Sequence, residues 1–354
     1  MPHTICTFNV NNLFVRYKFG QTFPGDVSGK SAVTDPGEGY LPMYNPAEFD
    51  LFRPEQRAVA ALALGRGEQQ WPDVVCLQEV ESLIALRTFN ELHLGGSYEE
   101  ALLIDSRDLR QIDVGVLSRL PILDIRTHVD DRQAHPDDPE HPWTFSRDCL
   151  EVDLDLGDAA TLTLFVNHLK SKFIDYHEAQ TPEEKEQARQ RNDATRRRQA
   201  EAVREIVAAR FPGSAFDEAL FAVVGDLNDE PASGTLDPLV HDAGLVPALE
   251  RIATESDRWT HWYRSENTVA QLDHVLLSPA LAEATDGAVP QIERHGISYA
   301  RTLADGGVGP RQTHFLRTDD DANPTPVDFR FDRFAEVTPD TYASDHCPVF
   351  FEVP

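Results

Sequence analysis

The sequence predicts an α/β fold of two packed sheets flanked by helices, and three observations predict it. Short apolar runs rich in β-branched residues recur from one end of the 354-residue chain to the other. Only two long stretches carry apolar residues at helical spacing. Strands therefore outnumber helices, which favours stacked sheets over a bundle.

The strands are read in order at Thr4–Val10, Val74–Gln78, Val114–Leu117, Leu150–Leu156, Leu162–Asn167, Leu220–Gly225, Leu272–Leu277 and Val349–Val353. Each has the length and composition of a strand, and most end in polar residues of the kind that catalyse. Pro54–Leu64 has the spacing of a helix. Pro182–Phe211 is a longer one, with Ala200, Val203, Val207 and Phe211 on one stripe. Two segments read as long loops, near 19–45 and near 304–326. The first is rich in Gly, Pro, Ser and Asp; the second holds a Gly-Gly pair, the acidic run Asp319–Asp321 and several prolines. Loops this long inside a compact domain are usually functional, so both are expected to border a cleft. No repeat and no linker divides the chain, and residues 1–354 are read as one domain.

Composition narrows the function. The 60 Asp and Glu outnumber the 32 Lys and Arg, giving a formal net charge of −28. That field opposes tight, non-specific nucleic-acid binding through a general basic surface, but a metal and a local basic rim can still hold one phosphodiester. The spacing of Cys6, Cys76, Cys149 and Cys347 matches no zinc motif, so buried, reduced thiols are expected. MPHTICTFNV runs directly into a strand without the regions of a signal peptide, and no apolar stretch is long enough to span a bilayer. The chain reads as cytoplasmic, without membrane association and with no obligate protein partner evident.

Chemistry concentrates in five strings: TFNVNNL at 7–13, CLQEVES at 76–82, FVNHLKSK at 165–172, VVGDLNDEP at 223–231 and SDHCPVFFEV at 344–353. Glu79 closes its strand as a carboxylate suited to Mg²⁺, unless it merely begins a helix. Gly225 allows a tight turn; Asp226 and Asn228, two apart, can point the same way, the carboxylate to take a proton from water and the amide to polarise a phosphate, unless they form an Asx turn. Asp273 is placed to hydrogen-bond His346 and fix its tautomer. Asn167, His168, Lys170 and Lys172 together point to phosphate contact. Arg147 presents a guanidinium to phosphate or forms a structural ion pair. Arg196, Arg197 and Arg198 read as a solvated helix face, and HPDDPEHP at 135–142 as an exposed turn. No Walker loop, Gly-x-Ser-x-Gly elbow or dinucleotide fingerprint is present.

These strings, in this order, resemble the endonuclease/exonuclease/phosphatase superfamily, which includes deoxyribonuclease I, exonuclease III-like repair enzymes, sphingomyelinases and inositol polyphosphate 5-phosphatases. The resemblance runs from Thr7 to Val353. It implies a four-layer α/β sandwich, two packed and mainly antiparallel sheets flanked by helices, with the site at one end. It implies that Asn9, Glu79 and Asp345 bind Mg²⁺ or Mn²⁺, and that His168 contacts the scissile phosphate as a candidate general acid. By the same resemblance Asp226 activates water beside Asn228, and His346, backed by Asp273, stabilises the transition state or protonates the leaving oxygen. Asn11 falls where some members carry a carboxylate and others an amide. Asp113 is the nearest candidate to back His168.

The expected function is a metal-dependent phosphodiesterase, a nuclease acting on DNA or RNA. NHLKSK and GDLNDEP look most like bacterial nuclease-type members, and SDHCPV resembles the repair-nuclease branch. The runner-up is a phosphatase or phosphodiesterase of a small metabolite or lipid headgroup, which the acidic composition favours. A non-catalytic scaffold ranks below both, because the metal-binding and imidazole residues that the resemblance implies are all present.

Overall fold

The computed structural model describes residues 2–17, 49–51, 53–67, 70–133, 142–174, 179–263, 268–297, 314–316, 326–327 and 337–354. Two six-stranded sheets form its centre. The first runs, edge to edge, through Gln291–Ile292, Val349–Val353, His3–Leu13, Val74–Val80, Asp113–Ser118 and Glu100–Leu103. The second runs through Val246–Pro247, Asp273–Leu277, Leu220–Asp226, Ala160–His168, Cys149–Gly157 and Ile122–Arg126. In each sheet the central pair is parallel and every other pairing is antiparallel: His3–Leu13 with Val74–Val80, and Ala160–His168 with Leu220–Asp226. A parallel pair delivers two strand C-termini to the same end, so each sheet brings two chain segments out together there.

Period-two alternation builds the layers. Ile5, Val74, Cys76, Val114 and Val116 of the first sheet pack on Leu162, Leu164, Val166, Ala222, Val224 and Val275 of the second. Residues of opposite parity face outward. Cys6, Phe8, Val75 and Leu77 pack against the helices Pro54–Leu64 and Leu83–His93. Phe165, Phe221 and Val223 pack against Ala200, Val203 and Val207 of the helix Pro182–Arg210. That helix begins at a capping box, Thr181 with Glu184. The result is the expected four-layer sandwich. All four cysteines are buried and free, and no helix among the described residues is long and apolar enough to cross a membrane.

Three sequence expectations change. Gly225 makes no turn: it lies inside a strand opposite Asn167, where a Cβ would come within 2.0 Å of the Asn167 carbonyl oxygen. The helix Leu83–His93 was not anticipated, although Ser82 caps it by accepting from the Ala85 N–H, and Ala85, Leu86 and Phe89 carry its buried face. The segment 304–326 is not wholly loop. His314–Leu316 pairs with Thr268–Ala270, and Pro326–Val327 pairs with His314–Leu316, because the exposed backbone of a strand edge recruits further strands. The rest of 304–326, and the predicted loop at 19–45, lie outside the described residues.

Candidate active site

The inward parity of four strands continues past the apolar interlayer into polar residues at one end. Leu162, Leu164 and Val166 lead to His168; Ala222 and Val224 lead to Asp226; Val275 and Leu277 count back to Asp273. His168, Asp226 and Asp273 are direct ladder partners, so their side chains form one row on the inner face. From the facing sheet, Ile5 leads through Thr7 to Asn9. Asn9 meets that row: its Nδ2 donates to Asp226 Oδ2 at 2.9 Å, across 217 residues of sequence. The cleft so formed is about 290 Å³ and is lined by Asn9, Asn11, Glu79, Asp226, Asp345 and His346, among others.

Glu79 reaches this cleft by breaking parity. Regular alternation after Val74 and Cys76 would turn it to the helix side. Instead the pairing with Asp113–Ser118 skips a residue between Gln78 and Val80, and Glu79 takes φ 65°. Such a bulge re-aims one side chain, and left-handed backbone costs a non-glycine residue roughly 1–2 kcal/mol. Opposite it, the register of the first strand also shifts between Asn9 and Leu13, with Asn11 at φ 53° and Asn12 at φ 59°. The two distortions support each other, because the Asn12 N–H donates to Glu79 Oε2 at 3.0 Å. The buried Arg57 guanidinium donates to the carbonyls of Val10 (2.7 Å) and Asn11 (3.0 Å), holding the bulge from behind. Asn228 is the fourth left-handed residue of the site, at φ 58°. Strain in one place on this scale marks a site rather than a core.

Around Asp226 the two histidines differ. His346 Nδ1 bonds Asp273 Oδ2 at 2.8 Å, and its Nε2 lies 3.7 Å from Asp226 Oδ2. Burial pushes this imidazole down, but the carboxylates of Asp273 and Asp226 outweigh it and hold His346 up at about 10, hence protonated. His168 Nε2 lies 3.4 Å from the same oxygen of Asp226. Burial, with the charge of Arg147, pushes His168 well below its usual value, so it is neutral. Its Nδ1 is buried without a partner. Asp113 does not back it: Asp113 accepts from the Ser106 hydroxyl and N–H instead, being on a strand of the other sheet. Burial also pushes the Asp226 carboxyl up, against the pull of His346. The Asn228 N–H donates to Asp226 Oδ1 at 2.9 Å, while the Asn228 amide is committed to the Leu169 carbonyl.

The expected phosphate contacts divide. Asn11 lines the cleft and donates to Asp345 Oδ1 at 3.2 Å. Lys172 also lines it, but with Nζ 2.6 Å from Asp229 Oδ1. Asn167 has the parity of Phe165 and turns away, with Nδ2 on the Phe165 carbonyl. Arg147 is buried between Asp108 and the Leu169 carbonyl, a structural ion pair. Lys170 is outside the lining; its main chain is held by Gln199 and Arg196. Arg196 is no solvated residue: it is fully buried, on Asp229 and the Lys170 carbonyl, because the loops after both parallel strands fold onto its helix. HPDDPEH at 135–141 lies outside the described residues. Sequence reasoning missed Asn12, Arg57, Arg110 and His261, of which Asn12, Arg110 and His261 line the cleft. Asn12 lies inside the string TFNVNNL, whereas Arg57, Arg110 and His261 lie outside all five strings, and His261, inside an aromatic run, gave no signal.

The donor chemistry suits a hard divalent cation. Glu79 and Asp345 are carboxylates opening on one cleft, and burial followed by the charge of Asp345 pushes Glu79 up. A dication held between them would remove that repulsion. The Asn9 amide adjoins, its Oδ1 accepting from the Asn11 N–H at 3.1 Å.

A family model described as Endonuclease/Exonuclease/phosphatase family matches residues 6–346. No curated protein matches the chain in sequence. Solved structures similar to it include sphingomyelinase C from Streptomyces griseocarneus, at 16% identity and TM-score 0.51, covering 100% of both chains. The human nocturnin catalytic domain with bound sulfate anion has 12% identity and TM-score 0.51, with 100% of this chain and 94% of that one covered. A mannosyl-6-phosphatase from Bacteroides thetaiotaomicron has 13% identity and TM-score 0.50, with 99% of each covered. At such identities the likeness is one of fold.

Proposed function

Because this chain belongs to the endonuclease/exonuclease/phosphatase family, whose members are phosphoric ester hydrolases, we propose that it hydrolyses a phosphodiester of a polynucleotide with Mg²⁺ or Mn²⁺. The observation that carries the hydrolytic reading is the position of Asp226. It is a buried carboxylate fixed by Asn9 and the Asn228 N–H, with one neutral and one cationic imidazole beside it. In this reading Asp226 takes the proton of the attacking water, and Asn9 and Asn228 hold the carboxylate in line. His168, being neutral, orients the phosphate by a hydrogen bond rather than acting as the acid. His346, kept cationic by Asp273, offers its Nε2 proton to the charge that develops on the phosphoryl or leaving oxygen. Glu79, Asp345 and Asn9 would hold the cation, which supplies Lewis-acid polarisation when bound.

Support for a polynucleotide comes from the rim. Phe173 and Tyr263 line the cleft and remain 58% and 39% exposed, with Arg110 nearby. Exposed rings beside a cation are the surface on which unpaired bases stack. A second reading, a small phosphoester or lipid headgroup, is favoured by the −28 charge and by the inward commitment of Arg147.

The test is hydrolysis of supercoiled plasmid, single-stranded DNA, RNA, a chromogenic phosphodiester and inositol phosphates, with Mg²⁺ or Mn²⁺ and an Asp226→Asn control. Metal-dependent cutting of a polynucleotide, lost in the control, is expected. Turnover of the small esters alone would replace the nuclease reading with the second, and full activity in excess chelator would remove the metal from it.

A further inference from the structure

His261 has no part in the reaction just described, yet the fold brings it onto two residues that do. The segment around His261 runs antiparallel to the one around His346, and the two histidines are bridge partners. Trp262 N–H donates to the Asp345 carbonyl at 2.8 Å, and Cys347 N–H to the Thr260 carbonyl at 2.6 Å, which fixes the crossing. The two imidazole rings are 4.6 Å apart, centroid to centroid. His261 Nε2 lies 3.6 Å from Asp345 Oδ2. One ligand atom each from His261, Asp345 and His346 falls within 4.8 Å of the others.

A separation of 3.6 Å is too long for a good hydrogen bond. It is close to the edge of a tetrahedral zinc site, where ligands about 2.0–2.1 Å from the ion stand roughly 3.3 Å apart. Two imidazoles and one carboxylate, with a fourth position open, are the donors of a borderline-soft ion rather than of Mg²⁺. The surroundings match as well. Asp273 holds His346 Nδ1 at 2.8 Å and leaves Nε2 facing the cleft, the carboxylate–histidine arrangement that orients an imidazole ligand.

We infer that His261, Asp345 and His346 form a transition-metal site, suited to Zn²⁺, whose occupation withdraws His346 from catalysis and inhibits the Mg²⁺- or Mn²⁺-supported reaction. The inhibitory half of this inference rests on the proposed hydrolytic function; the binding half does not.

The experiment uses the full chain, freed of metal, and its His261→Gln variant. Zn²⁺ binding is followed by calorimetry, and Co²⁺ serves as an absorbing stand-in whose visible bands report a tetrahedral nitrogen-containing site. The wild type should bind one Zn²⁺ in this site. His261→Gln should bind it more than tenfold more weakly and lose the tetrahedral Co²⁺ bands, and the Mg²⁺-supported turnover it retains should resist zinc. Asp273→Asn, which retains all three ligands, should weaken zinc by about 10–100-fold. A wild type that binds no zinc, or a folded His261→Gln variant that binds it as tightly, would overturn the inference. Zinc bound through His261 without inhibition would also overturn it. Zinc bound through His261 in a protein that hydrolyses no phosphoester would uphold the site and defeat the proposed function.

Discussion

Two groups of covered carboxylates sit on this molecule, and they are treated in opposite ways. On the flank of the second sheet, Glu151 and Asp153 are each held between Arg126 and Arg210, at 2.6 to 3.2 Å. Glu151 also borders a hollow of about 570 Å³, larger than the 290 Å³ cleft. Burial pushes Glu151 up, but those partners, with His128, outweigh it and hold it below its ordinary value. At the cleft, burial pushes Glu79 and Asp226 up, and Asp345 adds to the effect on Glu79. The backbone there is left-handed at Asn11, Asn12, Glu79 and Asn228. A cluster neutralised from within is a brace. One whose carboxyls are pushed up within left-handed backbone carries the pattern of a functional site. The smaller cleft, not the larger hollow, carries that pattern.

The sharpest way to break the comparison is Asp226→Asn. Turnover of a generic phosphodiester should fall by roughly 10²–10⁴-fold, while the melting temperature stays level or rises, because a buried charge has been removed. A variant keeping more than about a tenth of wild-type activity would end its role as water activator. Next is Glu79→Gln. Added Mg²⁺ or Mn²⁺ should raise the wild-type melting temperature by mass action. The variant should lose that increment and, with it, several kcal/mol of transition-state stabilisation, on the order of 10²-fold in rate. An unchanged increment would place the cation elsewhere.

On the flank the outcomes should reverse. Glu151→Gln should lower unfolding free energy by about 1–3 kcal/mol and leave turnover intact. The range sits below that of a fully buried pair because Arg126 and Arg210 are about a third exposed, at 37% and 31%. Loss of activity with unchanged stability would show that the hollow is no mere brace. A comparable effect, confined to the pH range above about 2, concerns Asp229. Burial pushes it up, but Arg196 and Lys172 prevail and hold it at about 2. A carboxyl held low contributes stability above its unfolded pKa of about 3.9, and loses it as pH falls through about 2. Asp229→Asn should therefore be about 2 kcal/mol less stable at neutral pH and should converge with the wild type near pH 2 in denaturant titrations. A constant offset at all pH values would remove the ion pairs as the cause.

Much of the fold was legible because period-two alternation is a local property. Val349–Val353 matches the reading residue for residue, and the other predicted strands differ only at their ends. The same parity, read along Leu164, Val166 and His168 or along Ala222, Val224 and Asp226, already points those side chains between the sheets. It also argues against Asn167, which neighbours His168 and so must face away. Weakly patterned edges escaped: Ile122–Arg126 alternates little because an edge strand is largely exposed.

What the sequence determined by itself is therefore the set of strands, their inner faces and the polar residues that end them. Spacing along a chain dictates which way each residue points. Only the tertiary structure decided which of those ends meet. It sent Glu79 into the cleft through a bulge, turned Arg147 to bracing, buried Arg196, and brought His261 against Asp345 and His346. Each of these depends on a partner dozens of residues away. Whether a charge is balanced, a backbone strained or an imidazole neutral depends on who stands beside it, and spacing along one strand carries no record of that.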